Sequence, residues 1–384
     1  MEGLSGVELV ALIDRVFQVR ETDEALAILV DLPDEHVSDD RVWKSRREMA
    51  HAWAIDLAGL ARQKLGLAVH LYLYRNARHN NADLPDGAWA HRFGPLPDSS
   101  ERLDPARLES FDSVFRTHSI LLAPTRFSAT APLKLAARQY GFRAATMPGF
   151  TADMIPALRL DYSDINRRVM KLKQYLDPAV RAEIRFLVDD LETHDLVLDL
   201  RHRNAHASGG LFPDDGIAGN LPSGETYIVP YEGELTTDPT HSAGTLPCQF
   251  GDEVVVFRIA DNVAVEVLSN GPESQREADL LTSEPAYGNM AELGLGVLSD
   301  YGLKPTGQIL LDEKLGLHIA FGRSDHFGGQ VGAKDFSGPA AVVHIDRVYL
   351  PQTMPRIKVV YVDLVQSDNS RTAIIRDGQY VVQW

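Results

Sequence analysis

The run Ala25–Leu32, ALAILVDL, predicts a buried β-strand and sets the fold class of the first half of the chain. Further strand candidates follow at residues 68–74, 119–125 and 142–148, and helical patterns separate them. One of these patterns, at residues 46–65, places its apolar side chains on a single helical face. Strands that alternate with helices are typical of βαβ units around a mostly parallel sheet. The first half therefore predicts a Rossmann-like α/β domain.

The pattern of predicted secondary structure changes in the second half of the sequence. A predicted helical stretch at 162–191 gives way to short β-rich runs broken by Gly, Pro and Asp. The run at 253–269, EVVVFRIADNVAVEVLS, predicts a hairpin with an Asp-Asn turn. We place the boundary near residues 192–200, which gives an α/β domain at 1–195 and a β-rich α+β catalytic domain at 196–384.

Composition limits the classes of function. The formal charge of -16 argues against a nucleic-acid partner, because such binding depends on clustered Lys and Arg. No G-x-G-x-x-G motif follows the first strand and no Walker A loop occurs, so we assign no nucleotide site. No membrane span or signal peptide is expected, and we predict a cytoplasmic protein. Because Cys248 is the single cysteine, any metal has to be held by His, Asp and Glu.

A histidine and an aspartate interrupt the predicted strand at 341–348, AVVHIDRV. Since side chains alternate across a strand, His344 and Asp346 lie on the same face. They are either the polar face of an edge strand, a buried His–Asp hydrogen bond, or a pair of metal ligands.

Three more ionisable residues stand in apolar or Gly-rich stretches of the same half. Glu225 lies in LPSGETYIVP, Glu292 in GNMAELGLG, and His318 in LLDEKLGLHIAFG beside Asp312 and Glu313. Taken singly, each has an ordinary interpretation as a turn carboxylate, a helix-start acid or a core histidine. Taken with His344 and Asp346, they match the oxygen and nitrogen ligands that hold two divalent ions about 3.5–4 Å apart in hydrolytic sites.

The motifs GETYIVP, AELGLG, DEKLGLHIAFG and HID resemble, in order and approximate spacing, those of the aminopeptidase T family of metallopeptidases. The resemblance implies that the metal ligands are Glu225, Glu292, His318, His344 and Asp346. It further implies a homodimer, two divalent ions such as zinc, cobalt or manganese, and removal of an N-terminal residue from a peptide or small-molecule amide by a metal-activated water.

One position departs from that family. Where the family has a tyrosine that can hydrogen-bond a developing oxyanion, this chain has Asp325, within GRSDHFGG. An ionised aspartate cannot donate a hydrogen bond, so another group has to replace the phenol if peptides are cleaved. Asp325 and His326 are the catalytic candidates, with His326 as a substitute donor or proton carrier. The alternative is that both belong to a solvated loop.

The sequence also resembles the 2,5-dihydroxypyridine dioxygenases. The resemblance implies one iron(II) held by two histidines and an aspartate, with a histidine at the position of Glu292 and no ligand at the positions of Glu225 and His318. This chain has the peptidase-type residue at all three of these positions. His318, His344 and Asp346 would still make a facial triad by themselves, and such a triad suits iron(II) and oxygen chemistry. A third possibility is a binding protein that has lost catalysis through Asp325. Weaker candidates are His202 and His206, which would suit zinc only on a helix. The histidines at 51, 70, 79 and 91 have no clustered acids and are interpreted as structural.

Overall fold

The computed structural model describes residues 3–92 and 94–384, and helices and strands alternate through the first part of that range. The helices in these described ranges are α1 (Gly6–Phe17), α2 (Arg41–Leu65), α3 (Phe111–Thr117), α4 (Thr130–Tyr140), α5 (Ile155–Leu158), α6 (Tyr162–Leu176), α7 (Pro272–Ser283) and α8 (Ile309–Asp312). The strands in the same ranges are β1 (Ala25–Leu32), β2 (Ala68–Arg75), β3 (Gly87–His91), β4 (Glu109–Ser110), β5 (Ile120–Ala123), β6 (Arg143–Thr146), β7 (Ala179–Val188), β8 (Glu192–Asp199), β9 (His206–Ser208), β10 (Ala218–Asn220), β11 (Glu225–Ile228), β12 (Ala243–Phe250), β13 (Glu253–Ala260), β14 (Val263–Val267), β15 (Met290–Gly296), β16 (Leu317–Gly322), β17 (His344–Val348), β18 (Ile357–Gln366), β19 (Arg371–Arg376) and β20 (Gln379–Tyr380).

The chain divides into two compact units. The first contains the described residues up to Asn166 together with Ser208–Ser223 and Thr306–Leu311. Its sheet has the strand order β10-β6-β5-β1-β2-β3-β4, and the pairs from β10 to β2 are parallel. The predicted parallel-rich α/β fold class is confirmed for this part of the chain.

Strand β1 lies inside this sheet, and all eight of its residues are buried. Asp31 is fully buried near its end, and its carboxylate accepts hydrogen bonds from the backbone N–H groups of Arg126 and Phe127. The indole Nε1 of Trp43 donates to the same carboxylate over 3.0 Å. These bonds join β1 to helix α2 and to the segment that follows β5. Both oxygens of the Asp31 carboxylate, the one acidic group of β1, therefore accept hydrogen bonds.

The second unit, Arg167–Ala207, Gly224–Pro305 and Asp312–Trp384, contains antiparallel sheets. One has the strand order β17-β16-β15-β11-β9, and the other β14-β13-β12-β8-β7-β18-β19-β20. The two pack against each other in part through Phe257 and Phe321, whose ring centroids lie 5.0 Å apart. The predicted hairpin is β13–β14, and its turn residues Asp261 and Asn262 have φ values of 49° and 66°.

Two local predictions were wrong. The predicted helix at 162–191 ends at Leu176, because Pro178 disfavours helical backbone just before it and β7 then alternates buried with half-buried side chains. The predicted strand at 341–348 begins only at His344, since Pro339–Ala341 form a 3₁₀ turn.

The change of unit at Asn166 precedes the predicted boundary at 192–200. The reason is that β7 pairs with both β8 and β18, which places residues 179–199 in the antiparallel sheet of the second unit. Independent folding of two domains stays a prediction. Within residues 3–92 and 94–384, no helix combines the length and the apolar character that crossing a membrane requires.

The role of Asp31 can be tested with Asp31→Ala. This change leaves the buried backbone N–H groups of Arg126 and Phe127 without an acceptor, while Trp43 Nε1 keeps only the carbonyl oxygen of residue 31. We expect the free energy of unfolding to fall by about 3 kcal/mol. Urea denaturation followed by circular dichroism measures the loss. The control Asp56→Ala removes an exposed carboxylate on α2 and should change stability by less than about 0.5 kcal/mol. Equal stability of the two variants would contradict this account of β1.

Candidate metal centre

The five predicted ligands lie on one face of the sheet β17-β16-β15-β11-β9. Glu292 pairs across the strands with Ala320, and Ala320 with Asp346. Gly322 pairs with His344 on the same side. We call this surface the ligand face; its residues are Glu225, Tyr227, Glu292, Gly294, Gly296, His318, Ala320, Gly322, His344 and Asp346.

Small residues occupy the remaining positions of the central strands on this face. Gly294 lies between Tyr227 and His318 in the cross-strand register. A Cβ atom at Gly294 would stand 1.9 Å from Nε2 of His318, so the imidazole lies directly over this glycine. Since Ala320 and Gly322 are also small, the ligand side chains converge over a shallow floor.

The potential ligand atoms form two groups that share one residue. In the described part of the chain, the donor atoms of Glu225, Glu292 and His318 lie within 4.8 Å of one another, and so do those of Glu292, His344 and Asp346. Glu292 Oε1 is 3.2 Å from His318 Nε2, and its other oxygen, Oε2, is 3.4 Å from His344 Nε2. Each oxygen of Glu292 therefore faces a different histidine.

Backbone carbonyls orient both histidines. Nδ1 of His318 lies 3.2 Å from the carbonyl oxygen of Gly316, and Nδ1 of His344 lies 2.7 Å from that of Arg323. Because a carbonyl oxygen only accepts, each Nδ1 carries the proton and each Nε2 faces the carboxylates. Metal-binding histidines are commonly held in this way.

The electrostatics of the cluster reflect its concentration of acids. Burial alone would lower the pKa of His318, but Glu292 and Glu225 outweigh it and raise the pKa to about 9. Burial likewise opposes a higher pKa for His344, yet Asp346 and Glu292 raise it well above its ordinary value. In turn, burial would raise the pKa of Glu292, but its hydrogen bonds with His318 and His344 hold it far below the usual range. The carboxylates thus attract positive charge to the ligand face.

Sequence reasoning did not identify Lys314 as part of this cluster. Its side chain is 1% exposed, and its Nζ donates to Oε1 of Glu225 over 2.5 Å and to Glu313. Burial is the main reason that the pKa of Glu313 rises to about 8. The only signal was a lysine directly after two acids in an otherwise apolar segment, which a solvated turn would also explain.

Lys314 leaves one oxygen of Glu225 available. Oε2 of this carboxylate is buried and has no hydrogen-bond partner, although it lies 3.5 Å from Nε2 of His318. A buried oxygen without a donor is costly unless a cation completes its surroundings. The donor set and this unmatched atom both fit a divalent ion.

Asp325 and His326 lie beside the ligand face in a 3₁₀ turn, Asp325–Phe327. Asp325 accepts hydrogen bonds from Arg323 at 2.5 and 3.3 Å, which ties its carboxylate to that guanidinium. The ring of His326 contacts that of His344, with centroids 5.3 Å apart. Burial and the neighbouring His344 lower the pKa of His326 to about 4. Their predicted catalytic roles stay predictions.

A buried carboxylate fastens the loop that carries these residues. Glu232 accepts hydrogen bonds from Ser324 Oγ at 2.5 Å, from the backbone N–H of Gln330 at 2.5 Å and from Asn289 Nδ2 at 2.9 Å. Asn289 also donates to the carbonyl of Gly322 at the end of β16. The loop is therefore anchored to the strand that ends beside His344.

Aromatic rings form the rim of the ligand face. Tyr227 stacks on His206 with ring centroids 5.2 Å apart, and it also contacts Phe327, with centroids 4.8 Å apart. Phe327 in turn lies 5.4 Å from the ring of His344. Burial and the charges of Glu292 and Glu225 raise the pKa of Tyr227 above its ordinary range.

The other histidine candidates belong to neither group of potential ligands in the described part of the chain. His202 has a φ of 61° and contacts Asp238, while His206 begins β9, so the two do not share a helix. In the first unit, Nδ1 of His70 lies 2.8 Å from Nε2 of His118, and His51 packs against His91.

No protein-family model matches this sequence, and no curated protein matches it. Solved structures do share its fold. The structure of 2,5-dihydroxypyridine dioxygenase from Pseudomonas putida KT2440 is 16% identical, covers 99% of both chains and gives a TM-score of 0.63. AmpT, aminopeptidase T, from Thermus thermophilus is 19% identical, covers 98% of this chain and 99% of its own, and gives 0.54. The two families that the motifs resemble are both represented, and both neighbours are enzymes.

Gly294→Ala tests whether zinc binding requires a residue without a side chain at position 294. The added methyl group would occupy the place of the His318 imidazole, so we expect affinity for zinc to fall by about 10-fold or more. Isothermal titration with zinc measures the affinity, and circular dichroism checks the fold.

Gly59→Ala is the matched control for this measurement. Gly59 lies in helix α2, a Cβ there meets nothing within 4 Å, and alanine favours helix. Zinc affinity should be unchanged in this variant. Unaltered zinc binding by Gly294→Ala would contradict the placement of His318 over the glycine.

Proposed function

We propose that this protein is a dinuclear metal-dependent hydrolase that cleaves an amide or N-terminal peptide bond. The observation that carries the proposal is the position of Glu292, whose two oxygens face the two separate groups of potential ligands. A carboxylate that offers one oxygen to each of two ions is suited to hold them as a pair.

Each proposed ion has its own set of ligands. The first would be held by Glu225, through its unmatched Oε2, and by His318, and the second by His344 and Asp346. Glu292 completes both sets. Zinc, cobalt and manganese all accept such imidazole and carboxylate ligands.

The residues contribute binding, charge and orientation. Divalent ions at this place supply Lewis acidity and make a water molecule acidic enough to act as a nucleophile near neutral pH. Lys314 neutralises part of the acidic charge and fixes Glu225 by its Oε1. The carbonyls of Gly316 and Arg323 hold the imidazole rings in one orientation. A free, neutral amino group next to the scissile carbonyl would be a suitable ligand for one of these ions, which fits removal of an N-terminal residue.

The fold alone does not separate this proposal from a mononuclear iron(II) dioxygenase. The 2,5-dihydroxypyridine dioxygenase neighbour has the higher TM-score of the two. A single ion would need only one of the two groups of potential ligands within the described residues, whereas the hydrolase proposal uses both. A single ion on Glu292, His344 and Asp346 would leave the unmatched oxygen of Glu225 without a cation. The cytoplasmic location and the homodimer stay predictions.

The shared position of Glu292 gives a stoichiometric test. Protein purified and saturated with zinc should contain two ions per chain; Glu225→Gln and Asp346→Asn should each retain one, and Glu292→Gln should lose affinity for both. Elemental analysis after gel filtration measures the content. Glu266→Gln, which changes an exposed acid paired with Arg258, is the control and should retain two. One ion in the wild type, unaffected by Glu225→Gln, would favour the single-ion alternative.

Metal removal provides a test of the reaction class. Dialysis against a chelator should abolish cleavage of aminoacyl amides such as leucinamide, and zinc, cobalt or manganese should restore it. The released ammonia measures the reaction. Oxygen uptake with a hydroxylated aromatic ring and iron(II), without amide cleavage, would instead establish the dioxygenase.

A further inference from the structure

Position 325 does not supply the hydrogen-bond donor that a developing oxyanion requires. Asp325, at the position where the resemblance predicts such a donor, is an acceptor held by Arg323. Amide hydrolysis builds negative charge on the carbonyl oxygen, and a correctly placed donor stabilises it. A different residue of this chain has to supply that hydrogen bond.

Tyr227 is the phenol nearest in register to the ligands. It follows Glu225 by two residues on β11, so both side chains lie on the ligand face. Gly294 stands opposite Tyr227 on β15, and His318 stands opposite Gly294 on β16. Because Gly294 has no side chain, nothing in that row separates the phenol from the imidazole of His318.

Two neighbouring rings hold the ring of Tyr227. His206 stacks on it with an interplanar angle of 23°, and Phe327 contacts it edge-on at 61°. Nε2 of His206 also contacts the carbonyl oxygen of Phe327 over 3.1 Å, which joins the two flanking residues. A ring clamped in this way presents its hydroxyl in one direction, and such preorganisation strengthens a catalytic hydrogen bond.

The hydroxyl of Tyr227 is also uncommitted. Within residues 3–92 and 94–384, it forms no hydrogen bond to a side chain or to the backbone, and the residue keeps some exposure. A phenol hydroxyl has one O–H donor. It can therefore donate to a substrate oxygen without first breaking another bond.

We propose that Tyr227 is a catalytic residue whose Oη donates a hydrogen bond to the substrate carbonyl oxygen as negative charge develops there. The assignment rests on the proposed hydrolase function. Tyr227 on β11 would then donate the hydrogen bond that the resemblance implies for position 325. The phenol forms no covalent bond with the substrate and transfers no proton to it. His326, whose ring packs on His344, is the competing donor.

The test compares zinc-loaded wild type with Tyr227→Phe, which keeps the ring and its two stacking contacts. We expect turnover of leucinamide to fall by about 10²–10³-fold with KM changed by less than about threefold. The affinity for the α-aminophosphonate analogue of leucine, a tetrahedral anion, should fall by about 10²-fold in isothermal titration, since it depends on the same hydrogen bond. Zinc content should stay at the wild-type value.

Tyr361→Phe is the matched control. Tyr361 lies on β18, and its ring contacts Arg185 and Arg376 away from the ligand face, so turnover and phosphonate affinity should be unchanged. Wild-type phosphonate affinity in Tyr227→Phe overturns the assignment, as does a loss seen only in His326→Phe. Wild-type protein that neither cleaves leucinamide nor binds the phosphonate overturns the hydrolase proposal and, with it, the role of Tyr227.

Discussion

The central constraint on this structure is the concentration of carboxylates on one sheltered face of a sheet. Glu225 and Glu292 are buried, Asp346 is half-buried, and Lys314 is the lysine that reaches this cluster from a buried position. Burying several anions together is costly unless cations compensate them. The raised pKa values of His318 and His344 express the same demand for positive charge. The surrounding strands, turns and carbonyls serve to hold these groups in place.

Glycines in the sheet make room for the side chains of this cluster. Gly294 makes room for the imidazole of His318, and a Cβ at Gly296 would stand 2.2 Å from the backbone of Lys314. Close approach of this kind allows a lysine and a histidine to reach the same carboxylate from different segments. The opposite face of β16 is apolar, with Phe321 packed on Phe257, so one strand separates a charged surface from a hydrophobic core.

Enzymes of two reaction classes share this fold, so individual residues, rather than the fold, have to distinguish the possible functions. The same arrangement of strands can serve a hydrolase or an oxygenase, because function resides in the side chains that a fold carries. Position 292 distinguishes the two resemblances. The two oxygens of Glu292 face two separate groups of potential ligands, whereas the histidine that the dioxygenase resemblance implies at this position would offer one nitrogen to a metal. The rim of His206, Tyr227 and Phe327 is the second such feature, because its rings contact one another beside the potential ligands.

The sequence by itself determined the features that depend on neighbouring residues. The apolar run Ala25–Leu32 indicated its strand, the Asp-Asn pair its turn, and the i, i+2 spacing of His344 and Asp346 their common face. Local pattern failed after Leu176, where a strand with half-buried polar residues resembled an amphipathic helix. Only the tertiary structure decided that Glu292 faces both histidines, that Lys314 holds Glu225, and that Tyr227 shares a row with His318. Each of these depends on the register between strands far apart in the chain, and a shift of one residue would turn every side chain to the other face.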